Sequence, residues 1–144
     1  MRIKEWLRGL VAFFYLVGTL LHFYLGLTNP EIYRAFGQTS LLPGFAAFWE
    51  NWVMPRMGLL ALLLAVFELV VGLLLIYQGR AVKVGLALGL LFNLFLVQLG
   101  LAFPAETIGA DVYFNRLPNL VFAGLQIYLL FKSFPESIPS LLRS

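Results

Sequence analysis

Between Met57 and Tyr77 the chain runs for 21 residues, MGLLALLLAVFELVVGLLLIY, with Glu68 as the only charged side chain. As a helix rising about 1.5 Å per residue, that run reaches roughly 31 Å, the thickness of bilayer hydrocarbon. The rest of the chain is of the same character: 61% of its residues are hydrophobic, 12% are charged, and the mean hydropathy is +0.90. A soluble domain of 144 residues has too small an interior to hide so much apolar surface. The chain is therefore expected to lie in a membrane, with Glu68 near the midplane. An ionisable group at that depth is costly and usually faces a partner, a cavity or a ligand.

Three further segments approach spanning length: Trp6–Leu27, Val84–Phe103 and about Leu117–Phe134. The expected fold is all-α, a four-helix transmembrane bundle forming a single domain over residues 1–144. The short turn Gln78–Lys83 makes the second and third helices antiparallel neighbours. On the third, Gly85-x-x-x-Gly89 permits close backbone approach. Seven basic residues (Arg2, Lys4, Arg8, Arg80, Lys83, Lys132, Arg143) fall on one side of this arrangement, and three (Arg34, Arg56, Arg116) on the other. The positive-inside rule then places both termini in the cytoplasm of a multi-pass plasma-membrane protein. The opening MRIKEWLR and its apolar sequel read as an uncleaved first helix, because the apolar stretch is long and no A-x-A-like site follows.

The first external loop, Thr28–Pro55, carries helix signals of its own. Asn29-Pro30-Glu31 combines an N-cap residue, proline at the first helical position and an acid in the first turn, and Gly37 is placed to end that helix. A second short helix opens after Leu42-Pro43-Gly44. On it Phe45, Phe48, Trp49 and Trp52 recur at helical spacing on one face. Two short interfacial helices are expected here, the aromatic face serving either as a membrane-interface anchor or as a lid, through Trp49, over an outward-opening cavity.

Counting residues from the span ends puts Glu68, Asn93 and Tyr15 at roughly 16 Å below the outer boundary, and Gln126 at about 13 Å. Each helix thus offers one hydrogen-bonding side chain at nearly one depth. His22, Gln98 and Asn119 form a shallower group, with His22 roughly 10 Å above Glu68 and too far for a direct pair. Glu68 is either interhelical glue, hydrogen-bonded to Asn93 or Tyr15, or part of a pocket where it meets a ligand, a proton or a partner subunit.

Several chemistries are excluded. There is no cysteine, hence no disulfide, Cys-based metal site or thiol redox couple. One histidine without clustered carboxylates makes no metal set, and neither a phosphate loop nor a Ser-His-Asp arrangement is present. The basic residues form no stripe suited to nucleic acid. No cofactor is assigned.

His22-Phe23-Tyr24-Leu25-Gly26 closing the first helix, Glu68-Leu69-Val70-Val71-Gly72 in the second, the Gly79-Arg80 turn and a glycine-bearing third helix resemble the DoxX-like superfamily. These are small four-helix bacterial membrane proteins, and the likeness spans essentially the whole chain. It implies a bacterial plasma-membrane protein that binds an apolar or amphipathic small molecule, a quinone or a lipid-like ligand. It equally admits a non-catalytic accessory subunit of a larger membrane complex, or a homo-oligomer. A more distant likeness is to the EXPERA four-helix proteins, whose members include isomerases with cavity acids and a histidine. Here only Glu68 and His22 could correspond. The enzyme alternative, a quinone-linked oxidoreductase subunit or an isomerase with Glu68 as proton carrier, stays open.

Overall fold

The computed structural model describes residues 2–38, 40–99 and 115–143. Among these the chain is helical, with no strand. We label the α-helices α1 (Ile3–Thr28), α2 (Arg34–Gln38), α3 (Phe45–Phe48), α4 (Met57–Ile76), α5 (Arg80–Gln98), α6 (Leu117–Leu130) and α7 (Ile138–Leu141). Among the described residues three helical stretches are long and apolar enough to cross a membrane: Ile3–Thr28, Phe45–Ile76 and Arg80–Gln98. α6 is apolar but shorter, at 14 residues.

Three boundaries differ from the expected ones, the first being that α1 begins at Ile3 rather than Trp6. The turn expected over Gln78–Lys83 is tighter, since α5 starts at Arg80. Gly79 makes this possible with φ 61 and ψ −128, a conformation that residues with a Cβ rarely adopt. Lys83 consequently lies in the first turns of α5, where its ammonium donates to the carbonyls of Leu129 (3.5 Å), Leu130 and Lys132. The first two are the last carbonyls of α6, the Leu129 one also accepting from the Lys132 amide (3.0 Å), and the third lies just beyond its end; a cation is favoured there. The fourth helix accordingly stops at Leu130 rather than near Phe134. The end expected for the third span, 100–103, lies outside the described residues.

α1 packs most extensively on α4, α5 lies against both α4 and α6, and α1 touches α6 only sparsely. The α1–α4 seam is built from small residues. A Cβ on Gly26 would lie 2.8 Å from Ala61 Cβ, one on Gly72 2.7 Å from Leu16, and one on Gly18 2.7 Å from the Glu68 carboxyl. Such close approach is how apolar helices gain packing energy where water offers no hydrophobic drive. Gly85-x-x-x-Gly89 works differently from a simple pair. Gly85 faces Leu74 and Leu75 of α4, while Gly89 faces Tyr15 and Gln126.

Two cores result. One joins Val11, Val71, Leu75, Leu86, Leu129 and Phe134. The other lies at the loop end and gathers Tyr33, Trp49, Met54, Met57 and Leu99. The outward faces carry exposed Phe13, Leu20, Leu59, Leu63 and Leu91, far more apolar surface than a water-soluble protein presents.

The loop departs from its sequence signals in three ways. Asn29 does precede a helical turn, Pro30–Tyr33, but its side chain makes no capping bond and the turn is 3-10. Gly37 lies inside α2 rather than ending it, and it is buried because a Cβ there would fall 2.3 Å from the Trp49 ring. The aromatic face is continuous through ring pairs Phe45–Phe48, Phe45–Trp49 and Phe48–Trp52, yet a π-helical turn at Trp49–Val53 divides its surroundings. Trp49 is buried against Gly37, whereas Phe48 and Trp52 stay exposed.

Candidate functional site

Tyr15 of α1, Asn93 of α5 and Gln126 of α6 converge. Asn93 Nδ2 donates to Tyr15 Oη (3.1 Å) and to Gln126 Oε1 (2.9 Å). Gln126 Nε2 donates to Tyr15 Oη (3.0 Å), and the tyrosine hydroxyl donates to the Gly89 carbonyl (2.9 Å). Each donor finds an acceptor, as a buried polar group requires. Gly89 makes room for this knot, since a Cβ there would come within 2.5 Å of Gln126 Nε2. The interhelical glue is therefore a triad on three helices, without Glu68.

Glu68 stands apart, buried against Gly18 of α1. Its Oε2 has no hydrogen-bond partner among the described residues. Its other oxygen, Oε1, lies 3.7 Å from His22 Nε2, which corrects the expected separation. Depth counted along the axes ignores where side chains lean. α1 and α4 run antiparallel, and each side chain tilts toward its own helix N-terminus. Glu68 therefore reaches toward the loop end while His22 reaches away from it, and the two meet.

His22 continues the contact outward. Its Nδ1 shares a short hydrogen bond with the Tyr33 hydroxyl, and the two rings stack at 5.5 Å. The Tyr33 carbonyl in turn accepts from Trp49 Nε1 (2.9 Å). Burial, and secondarily the nearby Glu68 charge, pushes the Tyr33 phenol up to about 12. Trp49 thus belongs to the loop-end core. A chain of contacts runs Trp49–Tyr33–His22–Glu68.

Glu68 also faces a cavity of about 290 Å³ between α1, α5 and α6. Its apolar lining includes Phe14, Val17 and Leu21 of α1, Phe92 and Leu96 of α5, and Phe122 of α6. Its polar side chains are Tyr15, Glu68, Asn93 and Asn119. Asn119 Nδ2 is committed to Asn115, donating to its carbonyl (2.8 Å) and to Oδ1 (3.0 Å). Asn115 and Arg116 in turn donate to the carbonyls of Leu96, Val97 and Leu99 at the end of α5, fixing the start of α6 beside the cavity.

Of the side chains singled out in the sequence, the structure brings Tyr15, Glu68, Asn93 and Asn119 to one cavity, with Gln126 and His22 directly behind it. Gln98 does not line this cavity: its buried side-chain amide has no hydrogen-bond partner among the described residues, and its backbone carbonyl accepts from Leu41 N (3.0 Å). Gly18 and the aromatic walls escaped the sequence reading. Their signal is nonetheless present, as Phe14, Val17, Gly18 and Leu21 follow the i, i+3, i+4, i+7 spacing of one helix face.

A second polar cluster, also missed, sits at the opposite end. Arg8 is fully buried, pairs with Glu5 (3.0 Å) and donates to the Glu136 carbonyl (3.1 Å). Lys4, Arg8 and Lys83 surround the buried Phe134 ring at 5.4, 4.9 and 5.6 Å. These cations read in the sequence as topology signals only. In the fold they tie the segment after α6 to α1 and α5. No metal-binding group of His, Asp or Glu exists among the described residues.

Comparison with known proteins supplies no relative: no family model, curated protein or solved structure matches the chain.

Proposed function

We propose that the chain is a four-helix membrane protein of the DoxX-like type whose cavity binds an apolar or amphipathic small molecule. In this reading α1, α4, α5 and α6 form the bundle, the Pro30–Arg56 segment is its interfacial cap, and both termini lie in the bacterial cytoplasm. The supporting observation is the cavity itself. It is apolar over most of its wall, lies near the size at which small-ligand pockets begin, and holds one buried carboxyl oxygen without a partner. A buried polar atom left unsatisfied costs about 1–3 kcal/mol, a cost that a bound head group would remove.

Native mass spectrometry of gently extracted protein tests this. A saturable small molecule is expected on the native chain and is expected to be lost from Val17→Trp, whose indole would fill the cavity. Retention of the same molecule by Val17→Trp would move binding elsewhere and refute the reading. The enzyme alternative has one observation in its favour, the imidazole beside Glu68. As a proton carrier Glu68 would lose all activity on conversion to Gln, with the fold intact.

A further inference from the structure

Which molecules the cavity accepts follows from where its hydrogens already go. Tyr15 has one hydroxyl proton, and it is given to the Gly89 carbonyl. Asn93 has two amide protons, directed to Tyr15 and Gln126. Asn119 has two, both directed to Asn115. Every hydroxyl and amide donor on the cavity wall is therefore spent inside the protein. What remains uncommitted on the wall of this cavity is acceptor capacity: Glu68 Oε2, and the side-chain carbonyl oxygens of Asn93 and Asn119. Glu68 offers a proton only in its acid form, and would then be a single donor beside two amide oxygens.

We infer that the cavity selects ligands whose head group donates a hydrogen bond, a hydroxyl on an apolar body above all, with Glu68 as principal acceptor. It discriminates against ligands that can only accept, such as ketones, ethers and oxidised quinones. The inference rests on the cavity reading above and narrows it to one chemical class. Discrimination of this kind is strong because an acceptor-only head would leave Glu68 unpaired and add a second unpaired oxygen beside it.

The test uses a matched pair, para-pentylphenol and para-pentylanisole, which differ by methylation of the one donor. Binding to the detergent-solubilised full chain is measured by native mass spectrometry and ligand-detected NMR. The signal from Val17→Trp is subtracted to remove partitioning into micelles. The phenol is expected to bind about tenfold more tightly than the ether. Glu68→Gln, which places an amide donor in the cavity, is expected to shrink that preference to near unity while the protein keeps its melting temperature. Equal affinity for both probes in the native chain, or an unchanged preference in Glu68→Gln, would overturn the donor selection and leave the cavity reading standing. Saturable binding of neither probe would remove both.

Discussion

Tyr33 sits where loop and helices meet, with its hydroxyl on His22 and its carbonyl on Trp49. Its phenol is shifted from the ordinary 10.0 up to about 12, so the folded state favours the neutral form. The sign of the consequence follows from proton counting. Below pH 10 neither state ionises Tyr33, and its full contribution is present; between about 10 and 12 the unfolded chain loses the proton first, and stability falls. Thermal melts from pH 9 to 12 are expected to show a steeper alkaline decline for the native chain than for Tyr33→Phe. Parallel curves would mean the phenol ionises freely in the fold. At this scale the sequence was partly legible. Residue type and approximate depth single out Glu68, Tyr15, Asn93 and Gln126, because polar side chains in an apolar run are conspicuous. Their pairing was not legible: hydrogen bonding depends on helix rotation and side-chain lean, and these left Glu68 outside the triad and beside His22.

Among the elements, α6 depends most on its neighbours. It is the shortest of the four long helices, and Lys83 from α5 donates to the carbonyls of Leu129 and Leu130 at its C-terminal end and of Lys132 just beyond. Lys83→Met keeps much of the stem's apolar packing but removes the donor. The change is expected to cost about 1–2 kcal/mol. Faster hydrogen exchange of amides following Leu130, with α1 and α4 unaffected, would locate the loss. Unchanged exchange there would show that the carbonyls find other partners. The long helices α1, α4 and α5 were visible in the sequence because stretches of spanning length that are apolar on average, with few charges, leave few alternatives. The loop was less so. Asn29 and Gly37 carry strong local signals, but Trp49 needed a seat, and the missing Cβ of Gly37 supplies it. Tertiary packing overrode the capping pattern.

For the whole molecule, the uneven distribution of basic residues sets the orientation we propose. In the fold Lys4, Arg8 and Lys83 converge on Phe134, and the Gly79 amide donates to the Phe134 carbonyl (2.7 Å), so the α4–α5 turn belongs to that same basic end. Because the chain has no cysteine, single cysteines introduced at Gln38 and Gln78 report cleanly. On intact cells a membrane-impermeant maleimide is expected to label the position at Gln38 and spare that at Gln78. The reverse pattern would invert the protein in the membrane.

The seam between α1 and α4 carries one more consequence. Gly26 receives Ala61, Gly18 receives Glu68, and Gly72 receives Leu16, three notches along one antiparallel line. Sliding one helix by a single residue means about 1.5 Å of travel and a rotation of roughly 100°, which would set side chains against side chains at every notch. The seam acts as a vernier, admitting one alignment and refusing its neighbours. The notch at Gly18 is where that alignment presents a carboxyl group to the cavity. The place of the Glu68 carboxyl in the cavity is thus indexed by steric fit, through glycines that carry no charge and have no side chain to form a hydrogen bond.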